Sequence, residues 1–150
     1  MSRSGVTVSS ECVTAFEELK LRKSHQYIVY ALGNNDTEIV IEAKGEPNER
    51  TSETNVLTAN YEEFVKVLPP KDCRWIIYDF AYKEGDSEIV KNKIVFISWS
   101  PDNAPIRSKM TYSSSKDALR RAFNGVAAEI QGTDSSEVSY EALKDKVAKK

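Results

Sequence analysis

One histidine, His25, and two cysteines, Cys12 and Cys73, are all that the sequence offers for soft-metal or thiol chemistry. Structural zinc needs a cluster of four Cys and His ligands, usually in short paired spacings. No CxxC pair and no second histidine exist, so no such site is expected. GxSxG, GxGxxG and the phosphate-binding P-loop are also missing, which removes the common nucleophile-elbow and nucleotide motifs. No apolar run approaches the ~20 residues of a membrane-spanning helix. Charge of one sign is not in excess: 21 Lys and Arg face 23 Asp and Glu, for a net −2. A nucleic-acid-binding chain is expected to be basic, so no nucleic acid partner is expected. Met-Ser-Arg-Ser-Gly is not followed by the apolar stretch of a secretory leader. Two unpaired thiols fit a reducing compartment, and a cytoplasmic location is expected.

What is present reads as alternating helix and strand. A helix is expected after Gly5, capped by Ser9 or Ser10, with Cys12, Phe16 and Leu19 on one stripe. Gln26 to Leu32 and Glu38 to Glu42 are dense in Tyr, Ile and Val and predict two strands, joined through the turn chemistry of Gly33 to Asp36. Lys44 to Asn55 is polar and predicts an exposed loop. Asn60 and Glu63 stand in capping-box spacing, predicting a short helix with Tyr61, Phe64, Val65 and Leu68 inward, stopped by Pro69 and Pro70. Arg74 to Tyr82 and Lys91 to Trp99 are near-continuous apolar runs, the mark of strands buried on both faces. Pro105 suits a first helical turn, and Ser113 to Ser115 permits a kink or a new cap. From Asp117, the spacing of Leu119, Phe123, Val126 and Ile130 predicts a helix that stops at Gly132. Glu137-Val138 is expected to be a short edge strand. A last helix follows, capped by Ser139 and carrying Tyr140, Leu143 and Val147. The expected architecture is α+β: a central mixed sheet of four to five strands flanked by helices on both faces.

Little here points to catalysis. Asp79 lies inside a strong strand with no acid–base partner visible in sequence, and is read as a hydrogen-bonded structural acid. The prominent feature is a basic set, Arg107, Lys109, Lys116, Arg120 and Arg121, with Ile106 and Met110 among it. Cations around exposed apolar side chains are what a protein interface needs at its centre. A charge run is usually a solvated helix face, and beside that reading the set by itself supports only binding to something acidic.

Ser4-Gly5-Val6, Asp72-Cys73-Arg74, Ile77-Tyr78-Asp79-Phe80, and the stretch from Trp99 to Phe123 with Ala104-Pro105-Ile106-Arg107-Ser108-Lys109-Met110 and Ser114-Ser115-Lys116-Asp117-Ala118-Leu119-Arg120-Arg121 resemble the ADF/cofilin family, fungal cofilins above all. The likeness runs over nearly the whole chain. It implies the ADF-homology (gelsolin-like) fold, with no cofactor and no enzymatic activity. It implies binding to monomeric and filamentous actin, with ADP-actin preferred, and severing and depolymerisation of filaments. Positions matching the surface shared by monomer and filament are Ser4, Gly5, Arg107, Lys109, Met110, Arg120 and Arg121. Those matching the filament-only surface are Lys91, Lys93, Asp145, Lys146 and Lys149. Ser4 matches the family's inhibitory phosphorylation site, where phosphate adds negative charge against an acidic partner. Phosphoinositide headgroups are expected competitors for the basic face. Cyclase-associated and actin-interacting cofactors of filament turnover are further implied partners. The implied location is the cortical actin cytoskeleton.

One domain over residues 1–150 is expected, with a flexible N-terminus to about residue 6, an exposed loop at about 44–58, and a monomeric state. Three departures from the family pattern stand out: a longer Lys44–Asn60 segment, Arg22 where many relatives have Gly, and Lys144 where an apolar residue is usual. The basic nuclear-import run of vertebrate relatives is absent. Two other readings share the sequence: a glia-maturation-factor-like protein acting on the Arp2/3 complex, and a phosphoinositide-binding module. The Arg107/Lys109 and Arg120/Arg121 pairs and the Ser4-Gly5-Val6 start favour the filament-severing reading.

Overall fold

The computed structural model describes residues 6–33, 37–48, 51, 53–84 and 86–148. Along the chain come β1 (Thr7–Val8), α1 (Ser10–Arg22), β2 (Tyr27–Gly33), β3 (Glu38–Gly45), α2 (Thr54–Val65), β4 (Arg74–Lys83), β5 (Val90–Trp99), α3 (Ile106–Arg121), β6 (Ala128–Gly132) and α4 (Tyr140–Ala148). The strands form one sheet in the order β1-β3-β2-β4-β5-β6. Its inner pairs are antiparallel, and both outer pairs, β1 with β3 and β5 with β6, are parallel. The sheet is mixed, as expected, but has six strands rather than four to five. The additions are its edges: a two-residue β1 and the unforeseen β6.

Alternation along β4 and β5 decides the layering. Trp75, Ile77, Ile94 and Phe96 enter one apolar cluster, while Ile76, Tyr78, Phe80, Val95, Ile97 and Trp99 enter the other. A sheet apolar on both faces has to be covered on both. Helices α1 and α3 cover the first face through Cys12, Phe16, Leu19, Tyr112 and Leu119. Helices α2 and α4 cover the second through Leu57, Tyr61, Phe64, Tyr140, Leu143 and Val147. Both thiols are free and buried, and burial pushes each of them up, so neither is a ready nucleophile.

Five expectations are corrected. The helix expected from Asp117 to Gly132 does not exist. Helix α3 ends at Arg121, Gly125 turns the chain at φ 93°, and Ile130 pairs with Ile97 in β6. The misleading spacing mixes two cores, because Leu119 and Phe123 lie on the first face and Ile130 on the second. Ser113 to Ser115 start no new helix, because α3 runs on from Ile106 to Arg121. The Ser114 and Ser115 hydroxyls donate back to the Thr111 carbonyl at 3.1 and 2.7 Å. Asn60 and Glu63 form no capping box, since α2 begins at Thr54 and both are mid-helix. Glu137-Val138 belongs to a 3-10 turn, Ser135–Val138, held by Asp134 accepting from the amides of Ser136 and Glu137. The loop bounds also move: β3 continues to Gly45, leaving 46–53 between strand and helix, and Val6, placed in the flexible end, is buried at 4% exposure. Two caps were legible in part. Ser9 occupies the N-cap of α1 without a side-chain cap bond, whereas the Ser139 hydroxyl accepts from the Ala142 amide at the start of α4.

Candidate partner-binding surfaces

Helical spacing sorts the basic residues of α3 into two rows. Arg107, Met110, Ser114, Asp117 and Arg121 recur every three or four residues, which aligns them along one face. All five are exposed. Met110 is 67% exposed and Ile106, beside this row, 75%. Lys109, Lys116 and Arg120 form a second row, seven and four residues apart, on the flank of the helix. These three are half-buried and occupied internally. Lys109 Nζ donates to the Asp102 carbonyl at 2.8 Å. Arg120 Nε lies 2.6 Å from Glu129 Oε2 and its Nη1 donates to the Phe123 carbonyl at 3.1 Å, while Lys116 Nζ stands 3.8 Å from Glu129 Oε1. Each expected pair, Arg107/Lys109 and Arg120/Arg121, is therefore divided between an outward cation and one tied to the fold. Ser4 and Gly5 lie outside the described residues. The described chain begins at buried Val6, and β1, which follows it, packs against α3.

The second set of expected residues falls on the other side of the sheet. Lys91 and Lys93 stand opposite Tyr82 and Phe80 in the β4–β5 ladder, and both tyrosine and phenylalanine belong to the α2/α4 core. Lys91 donates to Glu84 Oε1 at 2.5 Å. That hydrogen bond first, and then the opposite charge, raises the Lys91 ammonium and lowers the Glu84 carboxyl from their ordinary values. Ile89, next to them, is 70% exposed. In α4, Asp145 and Lys146 are exposed while Leu143 and Val147 are buried, which is the expected register; Lys144 is half-buried and Lys149 lies outside the described residues.

Asp79 is buried, its Oδ2 3.2 Å from Lys23 Nζ and its Oδ1 3.5 Å from Asn92 Nδ2. These partners account for it as a structural acid. It lines a cavity of about 460 Å³ with His25, Tyr61, Tyr78 and Asn92. Among the described residues no cluster of His, Cys, Asp or Glu could hold a metal ion, and no helix is long and apolar enough to cross a membrane.

Residues 5–148 match the cofilin/tropomyosin-type actin-binding protein family. The chain belongs to this family. It is 52% identical to the cofilin of Schizosaccharomyces pombe over 150 residues, covering all of both chains. With the cofilin of Kluyveromyces lactis it shares 50% over 149 residues, 99% of this chain and 96% of that one. Among solved structures, Streptomyces griseoflavus cofilin superposes with a TM-score of 0.82 at 41% identity, covering 97% of this chain and 98% of that one. Plasmodium berghei actin depolymerization factor 2 does so with 0.81 at 30% identity, covering 100% and 99%. The α+β fold and the fungal-cofilin resemblance stand, with the strand count corrected.

Sequence reasoning missed Glu129 and the Asp102 carbonyl as the groups that engage the flank of α3. With residues 119–130 taken as helix, Glu129 falls nine positions beyond Arg120, where no helical neighbour relation exists. Only the β6 turn brings them together.

Proposed function

We propose that this chain is a non-enzymatic actin-binding protein that binds monomers and filaments, prefers ADP-actin, and severs and depolymerises filaments. Family membership over residues 5–148 carries this reading. It is supported by the outward row of α3, where exposed Ile106 and Met110 lie among the cations Arg107 and Arg121. Apolar anchors ringed by charge are the composition of an interaction hot spot. Basic groups meeting an acidic partner speed association and fix register. Ser4, Gly5, Arg107, Lys109, Met110, Arg120 and Arg121 would form the surface used on both actin states. Lys91, Lys93, Asp145, Lys146 and Lys149 would form the filament-only surface. Bridging two subunits changes filament twist, and strain at the edge of decorated stretches promotes breakage.

Ser4 is proposed as an inhibitory phosphorylation site, the added negative charge opposing an acidic partner. Phosphoinositide headgroups would compete for the α3 cations. Cyclase-associated and actin-interacting cofactors are proposed partners. The protein would act as a one-domain monomer in the cytoplasm, at cortical actin.

Co-sedimentation with filaments and fluorescence microscopy of single filaments test the reading, with monomer affinity measured alongside. The wild type is expected to sediment with filaments and fragment them. Arg107→Ala with Lys109→Ala is expected to weaken monomer and filament binding together; unchanged monomer affinity would remove the shared surface. Ser4→Glu is expected to lose severing, and full severing by it would dismiss the phosphorylation site.

A further inference from the structure

Glu129 uses both of its carboxylate oxygens on α3: Oε2 takes Arg120 Nε at 2.6 Å and Oε1 faces Lys116 Nζ at 3.8 Å. Its backbone is fixed in β6, in parallel register with Phe96 of the central sheet. Arg120 also reaches the Phe123 carbonyl, and Lys20 of α1 donates to the Asn124 carbonyl at 2.9 Å. Helix α3 ends at Arg121, so β6 holds its last turn through Glu129 and Arg120, while α1 holds the segment just beyond it through Lys20. Arg121, adjacent in sequence, is exposed.

We infer that Glu129 is a positioning residue for the actin-binding face: it draws Lys116 and Arg120 onto β6, sets the angle at which α3 leaves the sheet, and leaves Arg121 as the cation presented at that end. This rests on the actin-binding reading above. Partly exposed ion pairs add little to stability. Glu129 and Arg120 are such a pair, with side chains 42% and 33% exposed, so their effect is on geometry. The inference opposes simple electrostatics in sign. Deleting an acid from a basic face raises its attraction for an acidic partner and speeds association. Loss of a positioning acid weakens binding instead, although the interface gains net positive charge.

The test compares Glu129→Gln, Arg120→Glu, and the exchange Arg120→Glu with Glu129→Arg. Glu129→Gln is expected to weaken monomer binding about 3- to 10-fold, within the range of coupled neighbours, with the thermal midpoint little changed. The exchange is expected to bind better than Arg120→Glu alone, since it rebuilds the bridge with reversed polarity. Equal or tighter binding by Glu129→Gln, or an exchange as weak as Arg120→Glu, overturns the inference, because the bridge then does not set the face. A second readout needs no actin: hydrogen exchange of the Arg120 Nε–H and of the amides from 119 to 124 is expected to speed up in Glu129→Gln. Unchanged exchange overturns the inference. Faster exchange in a protein whose wild type does not bind actin keeps the bridge and fails the actin reading alone.

Discussion

Lys23 holds a left-handed backbone conformation, φ 55°, at the end of α1 while its ammonium stands 3.2 Å from the buried carboxylate of Asp79 in β4. A non-glycine residue in that region costs about 1–2 kcal/mol. Its side chain offsets the cost by pairing an acid that is only 8% exposed. Lys23→Met removes the pair and keeps the strain, and is expected to destabilise the fold by about 1–2 kcal/mol, tempered because Lys23 itself is half in solvent. Lys23→Gly loses the same pair but relieves the backbone, and is expected to cost about 1 kcal/mol less. Urea unfolding of the two variants measures the difference. Equal stabilities would mean that the strain is absent.

The chain should lose stability in alkali through its buried tyrosines. Burial, and then the Glu141 charge, pushes the Tyr140 phenol up to about 12. Tyr30, Tyr61 and Tyr78 are raised as well, each mainly by burial. An unfolded tyrosine titrates near about 10. Below that pH both states hold the proton and stability is complete. Above it the unfolded chain releases the proton first, so stability falls as pH rises and the Tyr140 share is lost through about pH 12. Tyr140→Phe, which also gives up the 2.9 Å bond to the Ala81 carbonyl, is expected to be weaker at pH 8 but to fall less steeply from pH 10 upward. Parallel slopes for the two proteins would count against it.

Gly132 ends β6 where the following 3-10 turn folds back on it. A Cβ there would stand 2.5 Å from Val138 Cγ1 and 3.4 Å from the Trp99 ring, both buried. Overpacking of this kind costs about 1–3 kcal/mol. Gly132→Ala is expected to lower stability by that amount in chemical denaturation, and a neutral result would show that the turn gives way freely.

Lys91 and Lys93 sit on the side of the sheet away from α3. Replacing both by Ala is expected to weaken filament binding several-fold, as loss of interface cations does, and to spare monomer affinity. Comparable losses on monomer and filament would sink the division into two surfaces.

The sequence made β4 and β5 easy to read because near-continuous apolar runs rich in Ile, Val and aromatics mark strands buried on both faces. It made Tyr140, Leu143 and Val147 readable because a single core receives all three. It misled from 119 to 132, where apolar residues at helical spacing serve opposite faces of the sheet and only Gly125 marks the break. Gly132 looked like a helix stop and is instead a point of close approach. Arg107, Met110 and Arg121 stand out in sequence as part of a basic set with apolar neighbours, and the resemblance adds actin as the partner. That Lys109 and Arg120 are tied to the fold at the flank of α3 could not be found without β6 and the Asp102 carbonyl. Arg22, in the place of a frequent glycine, stays within α1, and the left-handed residue is Lys23.

The sheet separates two apolar clusters, one under α3 and one under α4. Substitutions far apart with no shared partners act additively. A lineage can therefore repack Tyr112 and Leu119, and so retune the helix proposed to meet every actin subunit, without disturbing Leu143 and Val147 beneath the helix proposed to meet filaments alone. Affinity for the polymer can then change through α4 alone and leave affinity for free subunits as it was, whereas a change under α3 moves both.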